Sequence, residues 1–425
     1  MDDLVCEALD ALLPCRVRRG ELRREGRTLR WVEAGSGTPA VVLEAALGEP
    51  GSLAYAGIMA AVAGQTRAVA YDRAGIGASD PVSPLTLHSQ VGDLAAVAAA
   101  VGGNRPCVLA GHSWGGLLAL LAAAQHPSLI AGLVLIDPAD EIYWSQLPAE
   151  IHRESTATGD MIIAKHAAGE LGPMVREVFG PYVDRLTEDR RHRDRLLDAY
   201  ESCYRNAWQA RMVQDETRLF NDSIQLINRI RSSAPLPDVP VVVLSATTGA
   251  AEEHRARWTA AHAKLAQAAP AGTHIVLADT HHAINQERPE AITAAISQVM
   301  AAVRLVRHRQ AALSQTGGRG PRACQTAPAR RMRTTSAATK RGHDRPASLG
   351  RRLPPAPVTF PGRFVVGAGT PAPARPSTRE PGQSWLFTPA GPRGRLMRFN
   401  RCGWSRSSCT CDSACEILTA GAAGP

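Results

Sequence analysis

The sequence predicts an α/β fold on a mostly parallel sheet, with helices on both faces and a helical insertion late in the chain. Three observations carry this expectation. Short apolar runs at 68–71, 107–110, 133–136 and 239–244 lack polar alternation, the pattern of strands buried on both faces. Helical periodicity lies between them, as in 85–101, where Leu87, Val91, Leu94, Val97 and Val101 fall three or four residues apart. Residues 138–235 then break the alternation with charged, Arg-rich sequence of helical character. Strands alternating with helices imply parallel pairing through right-handed crossovers.

Taken in order, residues 1–27 read as a peripheral segment, a short apolar stretch followed by an Arg-rich one. Strand-like runs follow at 28–33 and 40–43. The punctuation between them, Gly35-Ser36-Gly37-Thr38-Pro39, reads as a hairpin turn. Residues 114–125 form an Ala/Leu-rich helix. After the break come a strand at 239–244, a helix near 252–268, a strand at 274–278 and a helix at 289–303. The expected organisation is a core of 28–137 and 238–308, interrupted by a helical cap at 138–237. Such a cap would sit above the carboxyl edge of the sheet, where ligands bind in open α/β folds.

Charge divides the chain unevenly. Of 48 Lys and Arg, 18 lie beyond residue 310, with only 4 of the 39 Asp and Glu. The first 310 residues are therefore net acidic, and the overall +9 belongs to the tail. A basic tail without interleaved aromatics argues against specific nucleic-acid recognition. Residues 311–425 hold 14 Pro and 14 Gly and little apolar periodicity, so residues 309–425 are expected to be disordered and dispensable for the site. No apolar run reaches the length expected of a membrane span. The N-terminus, Met1-Asp2-Asp3-Leu4, is acidic where a secretory signal would be basic. The scattered cysteines at 6, 15, 107 and 203 suggest reduced thiols and a cytoplasmic setting. Cys402, Cys409, Cys411 and Cys415 cluster, but their spacing fits no zinc pattern, and no metal or cofactor is expected.

The sharpest chemical signal is Gly111-His112-Ser113-Trp114-Gly115-Gly116, set between the apolar run 107–110 and an apolar helix. G-x-S-x-G in that context puts a serine on a tight strand-to-helix turn. The glycines relieve crowding, and the helix N-terminus offers free N–H groups to developing negative charge. A second marker, Asp72-Arg73-Ala74-Gly75-Ile76-Gly77-Ala78-Ser79, follows the strand at 68–71.

With both motifs in this order, the stretch from about Leu29 to Val303 resembles the α/β-hydrolases. The second motif is similar to the family's D-R-x-G-x-G-x-S loop, which is mainly architectural there. The resemblance implies the α/β-hydrolase fold and a Ser113 nucleophile. It also implies a histidine after the last strand. Residues 280–290 resemble the family's G-H-x6-P-E loop, and counting back from Pro289 gives His282, with His281 in the place of the family's glycine. The oxyanion donors would be the N–H groups of Trp114 and Leu47, the latter in Glu44-Ala45-Ala46-Leu47-Gly48.

The acid is where the sequence departs from the family's commonest pattern. The loop after the strand at 239–244 holds no aspartate, whereas the preceding strand ends on Asp137-Pro138. Neighbouring parallel strands lie about 4.8 Å apart, so Asp137 can reach His282 from the adjacent strand end. Glu252 and Glu253 are the main rivals, followed by Asp140 and Glu141. Alternatively, Asp137 simply caps the first turn of the insertion. The resulting expectation is a serine hydrolase acting on an ester-type carbonyl of a small molecule through an acyl-enzyme. A serine at the elbow disfavours the relatives that use aspartate there, the epoxide hydrolases and haloalkane dehalogenases. A ligand receptor without catalysis, a cofactorless haloperoxidase and a C–C bond hydrolase are the alternatives. The sequence leaves the oligomeric state open.

Overall fold

The computed structural model describes residues 2–316 apart from positions 14 and 104. The expectations for the tail and for Cys402, Cys409, Cys411 and Cys415 lie outside the described residues beyond that point. The strands are β1 (Arg18–Arg24), β2 (Arg27–Ala34), β3 (Val41–Glu44), β4 (Ala68–Asp72), β5 (Cys107–His112), β6 (Ile130–Ile136), β7 (Pro240–Ala246) and β8 (Ala271–Leu277). They form a single sheet in the order β1-β2-β4-β3-β5-β6-β7-β8. Pairing is antiparallel for β1 with β2 and for β2 with β4, and parallel from there to β8.

Every residue of β3, β4 and β5 is buried, so both faces of the central sheet are covered, as runs without alternation require. Between the strands run the helices Leu87–Gly102, Trp114–Gln125 and Glu252–Ala268. Thr86 starts the first of these through a reciprocal capping box with Ser89, and Gly103 ends it in a left-handed conformation.

Two expectations for the N-terminal part are corrected. The runs at 28–33 and 40–43 are not a hairpin: β4 lies between β2 and β3, so Gly35–Pro39 is a crossover link. The hairpin is instead β1–β2. It turns on Glu25 and Gly26, both at positive φ, the conformation that tight hairpin loops demand. The segment 1–27 is therefore partly sheet. Its polar sequence hid the strand because β1 lies at the edge, where charged side chains face water and protect against edge pairing.

The insertion between β6 and β7 consists of five helices among the described residues, from Glu141–Ser145 to Ala207–Ser233. The last helix among the described residues, Pro289–Thr316, outlasts the expected end at 303. Its portion Pro289–His308 is long and apolar enough by composition to cross a membrane, which corrects the reading that no stretch is. Here Ile292, Ala295, Ile296, Val299, Met300 and Val303 repeat at helical spacing and are all buried in the core. Cys6, Cys15 and Cys107 are free thiols.

Candidate active site

β5 ends at His112, and the helix Trp114–Gln125 starts two residues later, leaving Ser113 alone in the turn. Its backbone, φ 54° and ψ −117°, lies in a region that a residue with a β-carbon occupies only under strain. The surroundings hold it there: Ser113 N–H donates to the Ile136 carbonyl at 3.0 Å, and Ala139 N–H donates to the Ser113 carbonyl at 2.9 Å. The two motif glycines are sterically required. A β-carbon on Gly111 would lie 2.4 Å from the Gly115 carbonyl oxygen, and one on Gly115 would lie 2.4 Å from that of Ala45.

β6 carries Asp137 to the same edge. Its N–H donates to the Leu244 carbonyl of β7 at 2.8 Å, and it too has a positive φ, 42°. The carboxylate is fully buried and accepts from Ala246 N–H at 3.0 Å, Arg255 at 3.1 Å and His282 Nδ1 at 2.6 Å. Burial opposes its charge, but the hydrogen bond from His282 and the neighbouring Arg255 guanidinium outweigh it. They hold the carboxyl well below the usual carboxylate range. An ionised carboxylate only accepts, so Nδ1 of His282 carries a proton, and in the neutral ring Nε2 is the proton acceptor. The main-chain carbonyl of His282 accepts from His112 Nε2 at 2.8 Å, which pins the loop.

The other candidates go elsewhere. His281 pairs through Nδ1 with Glu287 at 3.0 Å. Glu252 and Glu253 are exposed in the first turn of their helix. Asp140 caps the helix Glu141–Ser145 through Tyr143 N–H at 2.7 Å, and Glu141 pairs with Arg231 at 2.8 Å.

Leu47, Ser113, Trp114 and His282 line one cavity. Among the described residues, the N–H groups of Leu47 and Trp114 donate to no protein acceptor, and Ser113 Oγ makes no hydrogen bond. A free N–H at Trp114 follows from its place as the first residue of a helix.

Several contacts around the site had no signal in the sequence. Arg73 is buried beneath the Leu47 loop. It donates to Glu44 at 2.7 Å, to Glu216 at 2.5 Å, and to the carbonyls of Ala45 and Ala46, both at 2.7 Å. Glu216 comes from the insertion helix Ala207–Ser233. It accepts from Gly48 N–H at 2.7 Å and from Gln90 at 2.6 Å, and Gln90 in turn accepts from the Trp114 indole at 3.0 Å. Behind Asp137, buried His262 donates from Nε2 to the Pro138 carbonyl at 2.8 Å, so its Nδ1 accepts from Ser245 Oγ at 2.7 Å. Ser245 accepts from His274 Nε2 at 2.8 Å. A lone Arg in a loop motif or a Glu in a helical insertion carries no mark of its partner in sequence.

Sheet order, a strained serine after β5 and a histidine on the loop after β8 bound to a carboxylate after β6 define an α/β-hydrolase architecture. The profile described as the Alpha/beta hydrolase family matches residues 35–296, more than half of the chain, and the protein belongs to that family. Over 134 residues it is 30% identical to a cis-3-alkyl-4-alkyloxetan-2-one decarboxylase of Shewanella oneidensis, covering 30% of this chain and 41% of that protein. Over 68 residues it is 43% identical to lipase LipV of Mycobacterium tuberculosis, covering 16% of this chain and 26% of LipV. The matched regions thus span less than half of these relatives' own length. Among solved structures, an α/β hydrolase from Nostoc is similar with TM-score 0.54 and 17% identity, covering 67% of this chain and 98% of that one. A Pseudomonas aeruginosa protein named as an epoxide hydrolase is similar with TM-score 0.53 and 17% identity, covering 69% and 98%. At that identity the likeness concerns the fold alone.

Proposed function

We propose that this protein is a serine hydrolase that cleaves an ester-type carbonyl of a small molecule through an acyl-enzyme. The observation that carries the reading is the 2.6 Å bond from His282 Nδ1 to a fully buried Asp137, beside a strained Ser113 in the same cavity. In this reading Ser113 Oγ attacks the carbonyl carbon as Nε2 of His282 takes its proton. Asp137 keeps the imidazole in the tautomer that can accept and stabilises the imidazolium formed. The oxyanion is held by the N–H groups of Leu47 and Trp114. His282 then returns the proton to the leaving alcohol. Water, deprotonated by the same ring, attacks the acyl-enzyme and frees Ser113.

The relative named as an oxetan-2-one decarboxylase takes, by its name, a cyclic ester, which is in keeping with a carbonyl of this type. Serine in place of aspartate at the elbow argues against epoxide opening. The test is a fluorophosphonate probe on folded protein, followed by an ester panel graded by acyl length. Covalent labelling that vanishes in Ser113→Ala, together with ester turnover, is expected. A folded protein that neither labels nor turns over any ester would leave a receptor role instead.

A further inference from the structure

The chain is poor in aromatic residues, at 4%, yet the cavity beside Ser113 is walled by them. Two rows of rings line it. One runs from Trp114, next to the nucleophile, to Phe220 at 5.2 Å between ring centres and on to Trp144 at 5.0 Å. The other runs from His282 to Trp258 at 6.1 Å and on to Tyr143 at 5.0 Å. Both rows begin at the reacting groups and end on the neighbours Tyr143 and Trp144, at the start of the insertion.

The polar atoms of three of these rings are already engaged by the protein. The Trp114 indole donates to Gln90 at 3.0 Å, the Trp144 indole donates to Asn221 at 2.9 Å, and the Tyr143 hydroxyl bonds His254 at 2.8 Å. These bonds fix the rings in place and leave their carbon faces and edges for a ligand. Rigid aromatic walls reward a flat guest, because ring-to-ring contacts add to the burial of apolar area. A flexible alkyl chain gains only the area and loses rotamer freedom on entry.

Resting on the reading of Ser113 as the nucleophile of an esterase, we infer that the substrate is an ester carrying a single flat aromatic ring within one or two bonds of the ester group. The ring lies between the two rows and holds the carbonyl over Ser113.

The test compares ethyl phenylacetate with ethyl octanoate, and benzyl acetate with heptyl acetate. These pairs match in carbon number and place the ring on the acyl or the alcohol side. At least one aryl ester is expected to exceed its alkyl partner by about tenfold or more in kcat/KM, the return of one or two ring contacts. Phe220→Leu, which keeps apolar bulk but removes one ring, should cut that aryl-to-alkyl ratio severalfold. Aryl esters turned over no faster than their alkyl partners, in protein whose Ser113 still labels with a fluorophosphonate, would overturn the inference and leave the esterase reading standing. Absence of labelling in folded protein would remove both.

Discussion

Two buried polar clusters flank Ser113, one ionic and one built around neutral rings, and they hold different parts of the site. Under the Leu47 loop, Arg73 lies between Glu44 and Glu216, three ionisable groups with almost no exposure. Behind His282, the buried carboxylate of Asp137 is met by Arg255, while His262, Ser245 and His274 pass neutral hydrogen bonds among themselves. The first cluster joins core to insertion and shapes a backbone loop. The second stays within the core and orients a ring. Fixing a backbone across two layers takes several convergent hydrogen bonds, whereas fixing one imidazole takes a single short one with support behind it.

The largest effect should come from the second cluster. Asp137→Asn should lower kcat by about four orders of magnitude with the fold intact, because an amide N–H facing Nδ1 favours the wrong tautomer. Glu252→Gln and Glu253→Gln should stay near the parent in the same esterase assay. Near-normal turnover in Asp137→Asn would detach the carboxylate from the chemistry.

Next comes the ionic cluster. Glu216→Ala removes a partner of buried Arg73 and leaves Gly48 N–H without its acceptor, so a stability loss of about 3–5 kcal/mol is expected in denaturant unfolding. Since Arg73 also holds the Ala45 and Ala46 carbonyls, kcat should fall more than KM rises. A loss under about 1 kcal/mol would show that the insertion does not brace the loop.

A smaller effect is expected from Ser245→Ala, about 1–3 kcal/mol, because it strips Nδ1 of His262 of its donor while sparing the Asp137–His282 bond. Turnover should change far less than in Asp137→Asn. A comparable collapse of kcat would mean that the histidine pair takes part in the proton transfer.

The smallest effect is one of pH, and the two clusters should respond with opposite sign. Burial lowers His262, and burial beside the His282 ring lowers His112 to about 3. Their stabilisation is present above the unfolded value of about 6.5 and is lost as pH falls below it. Burial, with Glu216 and Asp93 nearby, pushes Glu44 up to about 8 despite Arg73. Its folded pKa exceeds the unfolded value of about 4.3, so its contribution is complete below that and lost as pH rises towards 8. Glu44→Gln, which cannot titrate, should therefore gain in Tm relative to the parent between pH 5 and pH 8. A difference that stays flat with pH would place Glu44 as ionised throughout.

Much of the core was legible because its signals are local. Gly111, Ser113 and Gly115 announce the turn, since only glycines fit against Gly115 and Ala45 there. Buried strands such as β5 read as unbroken apolar runs. β1 was missed because an edge strand shows charge, and the hairpin was misplaced because glycine and proline mark a change of direction without saying which strand comes next. The expectation for Asp137 came from strand adjacency, and the structure brings that residue to His282. Arg255, His262, Gln90 and Glu216 escaped notice because each reaches the site across a long stretch of chain.

The sequence by itself determined the buried central strands, the turn that carries Ser113 and the order in which serine, aspartate and histidine appear, because each depends on neighbours within a few residues. Only the tertiary structure decided which histidine turns to which carboxylate, that Glu216 of the insertion grips the loop carrying Leu47, and that two rows of rings line the cavity. Those contacts join residues up to 168 positions apart, as from Gly48 to Glu216. Their partners are selected by packing and by the need to satisfy buried polar groups, neither of which leaves a periodic trace along the chain.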